Sequence, residues 1–203
     1  MFSHDPRAAK PLIHILKNVS RSTPNSRLAV ALLEIDHHIC LGDLAKALTL
    51  VEQHLETFKH SDLDPSAPLR TRLRFLNAKS RILIKAGRAQ KALSLTLRAT
   101  TAAHKARLFP VLWESIALLM HVLNSVRCQD LAADLGCLYI EEVRETKDEA
   151  LLAEMQDALH TSYLIKTSAS QDMEKVRNEE AAEHWKQGAL AGKGNSIPMM
   201  SLD

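Results

Sequence analysis

Apolar residues recur along most of this chain at the three-and-four spacing of a helix face, and glycine, proline or short polar runs interrupt the recurrence at intervals. Leu12, Ile13, Ile15, Leu16 and Val19 form a short face that stops at the polar stretch 20–26, a lead-in helix and linker. Leu28, Ala31, Leu32, Ile35 and Ile39 predict a helix over 28–41. Gly42-Asp43 ends it, because glycine accepts the left-handed conformation that closes a helix and Asp43 can accept from the free amides of the next, 44–58. The run HSDLDPSAP from His60 to Pro68 holds two prolines and marks a connection.

Beyond it, Leu73, Leu76, Ile82 and Leu83 predict a helix over 69–86, and Leu93, Leu95, Leu97 and Ala99 its return over 88–103, with Gly87 between them. Pro110 fits the first turn of a helix through Val111, Leu112, Trp113, Ile116, Leu119 and Leu123, whose partner is 131–143. A fourth helix is expected over 148–164, then a charged, exposed helix over 173–190, with the residues from Gly192 onward read as a disordered tail. Three regions result: 1–26 as lead-in helix and linker, 27–167 as a helical-repeat domain, and 168–203 as charged helix and tail.

The interruptions repeat. Gly42 is followed five positions later by Ala47 and Gly87 by Ala92, within LGDLAKAL and AGRAQKAL, and Arg127 stands in the same relation to Ala132. In a helical hairpin the first residue ends one arm and the small second one lets the return arm approach closely, so Ala47, Ala92 and Ala132 should pack between arms. The intervals, 45 and 40 residues, exceed the roughly 34 of a tetratricopeptide repeat, and the excess falls in the connections. The pattern predicts an all-α fold of tetratricopeptide-like hairpins stacked as a short α-solenoid. A generic bundle with small residues recurring by chance is the competing reading.

Composition narrows the chemistry. Aromatic residues make up 4% of the chain and glycine contributes 6 residues, too few for most β-sandwiches and barrels. A net charge of +2, from 26 basic and 24 acidic residues, gives no strong field for nucleic acid or anionic lipid. The local excess of basic residues over 70–107 lacks interleaved aromatics, which counts against a phosphate-binding surface. Cys40, Cys128 and Cys137 are odd in number and form no C-x-x-C pair. The first ten residues lack the apolar stretch of a signal peptide, and no apolar run reaches the ~20 residues of a membrane span, so cytosol or nucleus is expected.

Ten histidines invite a metal or acid-base reading. Only His37 and His38 are adjacent, and neighbours on a helix point about 100° apart, poor geometry for one ion. His38 and Glu34 could share a face, but no third ligand is visible. Phosphate-loop, dinucleotide, metalloprotease and nucleophile-elbow signatures are all missing. No catalytic residue, cofactor, metal or small-molecule substrate is therefore expected. Trp113 reads as core, and Trp185 as either an exposed functional residue or part of a helix end folded back.

The stretch KSRILIKAGRAQKALSLTLRATTAAHKARLFPVLWESIALLMHVLN, from Lys79 to Asn124, resembles the C-terminal tetratricopeptide region of anaphase-promoting complex subunit 5, in particular its fungal members. The KAGR turn at Lys85 to Arg88, the run from Leu93 to Ala99 and the segment Arg107 to Glu114 carry the likeness. It covers about a quarter of the chain strongly, and the family's members are several times longer. The resemblance implies a non-catalytic scaffold subunit of a ubiquitin ligase of mitotic exit, in nucleus and cytoplasm, whose partners are neighbouring protein subunits. Independently, a hairpin stack leaves one side free for a partner segment, and Arg72, Arg74, Arg81, Arg88 and Trp185 are the candidate contact residues.

Overall fold

In a computed structural model of the chain, residues 9–20, 24–60 and 69–192 are described. They form eight helices: α1 (Ala9–Val19), α2 (Pro24–Leu41), α3 (Leu44–His60), α4 (Leu69–Lys85), α5 (Ala89–Lys105), α6 (Phe109–Ser125), α7 (Gln129–Glu145) and α8 (Glu149–Gly192). Each helix from α2 to α7 packs on the next, and α2, α4 and α6 also pack directly on one another in order. That is the stacked-hairpin arrangement of a short α-solenoid, built of tetratricopeptide-like pairs. One compact unit extends to Ser162 and therefore includes the start of α8; a second begins at Tyr163.

The hairpins owe their sharpness to one backbone device. Gly42, Gly87, Arg107 and Arg127 lie at positive φ, 78°, 71°, 52° and 64°. The amide of each donates three residues back and the next amide donates five back: Gly87 to Ile84 and Arg88 to Leu83, Arg107 to His104 and Leu108 to Ala103. These paired bonds satisfy carbonyls that a helix end would otherwise leave open. Lys147, φ 58°, makes the first of the two bonds, to Arg144. Helices α4 to α7 are each 17 residues long, so Gly87, Arg107, Arg127 and Lys147 recur at equal spacing. Only the glycines signal the turn in sequence; at the other three positions a long basic side chain is held in the same strained region. The N-termini of α5, α6 and α7 have no side-chain cap, whereas Asp43 accepts from the Lys46 amide at 3.3 Å and Asp148 from the Leu151 amide at 3.1 Å.

Small residues sit where the arms meet. Ala47, Ala92 and Ala132 are all fully buried. Gly136 on α7 provides another close approach: a Cβ there would lie 2.7 Å from Met120 Cε and 2.9 Å from Leu159 Cδ1. The main core gathers Leu73, Val111, Trp113, Ile116, Met120, Val143 and Met155 around α6, and a second cluster joins Ile35, Val51, Phe75 and Ile82 across α2, α3 and α4. Trp113 belongs to the first, in ring contact with Tyr139 at 5.5 Å.

Two buried polar pairs tie alternate helices together. Asn77 Nδ2 donates to Ser115 Oγ at 2.9 Å, whose hydroxyl donates to the Val111 carbonyl at 2.8 Å. Asn124 Nδ2 donates to the Ala158 carbonyl at 2.8 Å, and Ser162 Oγ donates to Asn124 Oδ1 at 2.8 Å. Sliding α4 or α8 past α6 by one turn would strand a buried amide, so these bonds fix register.

The sequence reading expects separate helices over 148–164 and 173–190; instead α8 runs unbroken for 44 residues and passes through the boundary at 167. No glycine or proline interrupts 165–172, and its hydroxyl residues do not cap a new helix. Thr167, Ser168 and Ser170 donate instead to carbonyls one turn back, at Tyr163, Leu164 and Lys166. The expected disordered tail, 193–203, lies outside the described residues.

Replacing Ala92 with leucine should overpack the α4–α5 contact and lower the unfolding free energy by about 1–3 kcal/mol, read from a urea titration. At the turns, Arg127→Gly should raise stability by roughly 0.5–1 kcal/mol. Gly87→Ala, with nothing within 4 Å of its new Cβ, should lower it by ~1 kcal/mol through backbone strain alone.

Candidate functional site

Helices α2, α4, α6 and the start of α8 turn one face each toward a shared groove of 530 Å³. Helix α4 supplies its floor through Arg70, Arg74, Asn77 and Arg81, spaced so that all four fall on one side of the helix. Asp36 and Leu33 enter from α2, Glu114 from α6 and Glu154 from α8. Leu33 leaves about half its side chain exposed there, 49%.

The charges along the groove are interlocked. Arg74 grips Glu114 with both ends of its guanidinium; Nε donates to Oε2 at 3.2 Å, and NH2 donates to Oε1. Arg81 stands between two carboxylates, 3.8 Å from Asp36 Oδ1 and 3.6 Å from Glu154 Oε2, close enough for attraction but beyond hydrogen-bond length. Asp36 has its pKa raised: burial is the largest cause, Arg81 opposes it, and Glu114 and Glu154 add to it. The groove is thus lined by charged and apolar side chains together, with Arg81 beyond hydrogen-bond length of both its carboxylates.

The four arginines singled out in the sequence separate. Arg74 and Arg81 line the groove. Arg72, two residues from Arg74 and so on the far side of α4, stacks over Phe58 of α3 with its Cζ 5.7 Å from the ring centroid. Its buried Nε has no hydrogen-bond partner. Arg88 lies exposed in the α4–α5 turn. The side chain of Trp185 lies outside the described residues. Conversely, Arg70, Asn77, Asp36, Glu114 and Glu154 were not singled out, although a helical-wheel phase over 70–81 carries the signal for the α4 members.

None of the described histidines lines this channel. His38 is buried at the end of α2, its Nδ1 3.7 Å from Asp43 Oδ2, and the His37 ring is tilted against it at 5.7 Å. His54 rests on Phe75, ring centroids 5.0 Å apart. Among the described residues no group of three or more His, Cys, Asp or Glu is arranged to hold a metal ion. Among the described residues Cys40, Cys128 and Cys137 form no disulfide. No described helix is long and apolar enough to cross a membrane. No family model, curated protein or solved structure matches the chain.

Burial is the first cause that lowers the pKa of both His38 and His54; Lys46 adds to it at His38, while Asp43 and Glu34 oppose it. The unfolded chain therefore binds these protons more readily than the folded one. Their contribution to stability is fully present above about pH 6.5 and is lost as pH falls below it. The urea midpoint should drop between pH 7.5 and 5.5, and a His38→Gln/His54→Gln variant should show a shallower drop over the same range.

Proposed function

We propose that this chain is a non-catalytic protein-interaction scaffold whose groove holds a segment of a partner protein. The observation that supports this reading most directly is the lining of the groove. Side chains from four helices, charged groups of both signs and a half-exposed leucine converge on one channel, and its ionisable groups are engaged with one another rather than poised around a reacting centre. Arg81, held at 3.6 and 3.8 Å from its two carboxylates, can turn to a carboxylate or carbonyl of a bound segment without first breaking a full hydrogen bond. Stacked-repeat proteins use such inner faces to hold extended or helical segments.

The likeness of 79–124 to anaphase-promoting complex subunit 5 supports a more specific proposal. The partners are other subunits of that ubiquitin ligase, and the chain acts in nucleus and cytoplasm during mitotic progression, with neither cofactor nor small-molecule substrate. The groove by itself supports only the broader half.

Capture from dividing cells, using the tagged full-length chain and mass spectrometry, should recover ubiquitin-ligase subunits. Arg74→Glu with Arg81→Glu should reduce that recovery about tenfold or more, the loss expected when charged contacts inside an interface are reversed. Arg88→Glu, outside the groove, should leave recovery intact. A chain recovered without partners removes the ligase reading; equal recovery with the double reversal removes the groove.

A further inference from the structure

Helices α5 and α7 both pack on α6, and the 40-residue interval from Gly87 to Arg127 carries on through them, so each position of α5 has a counterpart 40 residues on in α7. Ala92 and Ala132, both fully buried, are one such pair. The two helices therefore turn corresponding faces outward: every exposed position of α5 from Lys91 to Lys105 has an exposed counterpart in α7.

The chemistry of these matched faces is opposite. Helix α5 contains no carboxylate, and Lys91, Arg98 and Lys105, all exposed, follow one another at seven-residue spacing and so run down one flank of its outer face. None of the three makes an ion pair among the described residues. Leu97, 46% exposed, lies on the other flank. Helix α7 carries five carboxylates and one arginine. At 100° per residue, Asp134 falls at the middle of its outer face, Asp130 and Glu141 on one flank, and Leu131 and Leu138, 58 and 64% exposed, on the other.

We propose that two copies of this chain pair through these outer faces, α5 of each lying along α7 of the other about a two-fold axis parallel to the helices. Facing helices then run parallel, and a flank of one meets the opposite flank of its partner, as in a parallel coiled coil. The three cations of α5 thereby come to Asp130, Asp134 and Glu141, and Leu97 comes to Leu131 and Leu138. A two-fold axis across the helices would instead set α5 on α5 and α7 on α7, like charge on like. The contact is isologous, each copy using both faces, so it closes at two. It is small and carries much charge, so it is weak and sensitive to salt.

Sedimentation of the full-length chain tests it. At low salt the weight-average mass should rise from 22.6 kDa toward twice that value and no further as concentration increases over a roughly hundredfold range spanning micromolar dissociation constants, and added salt should return it to the monomer. Arg98→Glu/Lys105→Glu reverses one face and Asp134→Lys/Glu141→Lys the other. All four positions are exposed, so both variants should melt close to the parent. Each alone should dimerise about tenfold or more weakly than the parent. Mixed in equal amounts they should form a one-to-one dimer, because both of its seams then join opposite charges, and a chain carrying all four reversals should dimerise again by itself. A parent that stays monomeric at every concentration overturns the proposal, as does a mass that grows past the dimer or a mixture of the two reversed variants that fails to associate.

Discussion

Twelve of the 17 residues of α6 are buried, leaving open one narrow side that carries Pro110, Glu114, His121 and Ser125, and this burial sets the arrangement of its neighbours. A helix apolar over most of its circumference must be largely enclosed. Helices α4 and α5 cover it from one direction, α7 and the start of α8 from the other, and the main core contains residues from all of them. The two buried polar residues of α6 that reach across the stack, Ser115 and Asn124, then become anchor points for register. Apolar packing alone would tolerate sliding; amides that must find a particular hydroxyl or carbonyl do not. The groove follows from that register, since Glu114 can meet Arg74 only if α4 and α6 are held at one height.

Much of the fold was legible in the chain because the signals were local. The Gly42 and Gly87 turns, the prolines of 60–68 and the apolar rhythm of each arm all act within a few residues of their own position, and helix existence followed from them. Arg107 and Lys147 gave no such signal. Their left-handed conformation is imposed by helices on both sides that are already packed, so it is tertiary structure that overrides residue preference there. The stretch 165–172, left between two expected helices, is a different case, because it is rich in serine and threonine. Those hydroxyls have two ways of being satisfied, and the helix continues with the one that bonds to the preceding turn.

The groove was less legible. Arginines 72, 74, 81 and 88 were grouped by composition, whereas a helix sorts them by angle: 74 and 81 share a side, 72 faces away and 88 lies past the last turn. Partners from other helices, Asp36, Glu114 and Glu154, could not be inferred without knowing which faces meet. Asp36 and Glu154 are 118 positions apart, and only the stacking brings both to Arg81.

The polar pairs have a consequence for how the chain reaches this state. Each joins helices separated by a single intervening one, 38 residues apart in both cases, and the most extensive helix pairings link elements next to each other or one removed. Mean contact order is correspondingly low, and chains of that kind close their loops cheaply and early. During synthesis, a hairpin can settle on its predecessor once its second arm is released. Of the residues in the two polar pairs Ser162 is the last to be synthesised, and its bond to Asn124 ties the start of α8 to the stack.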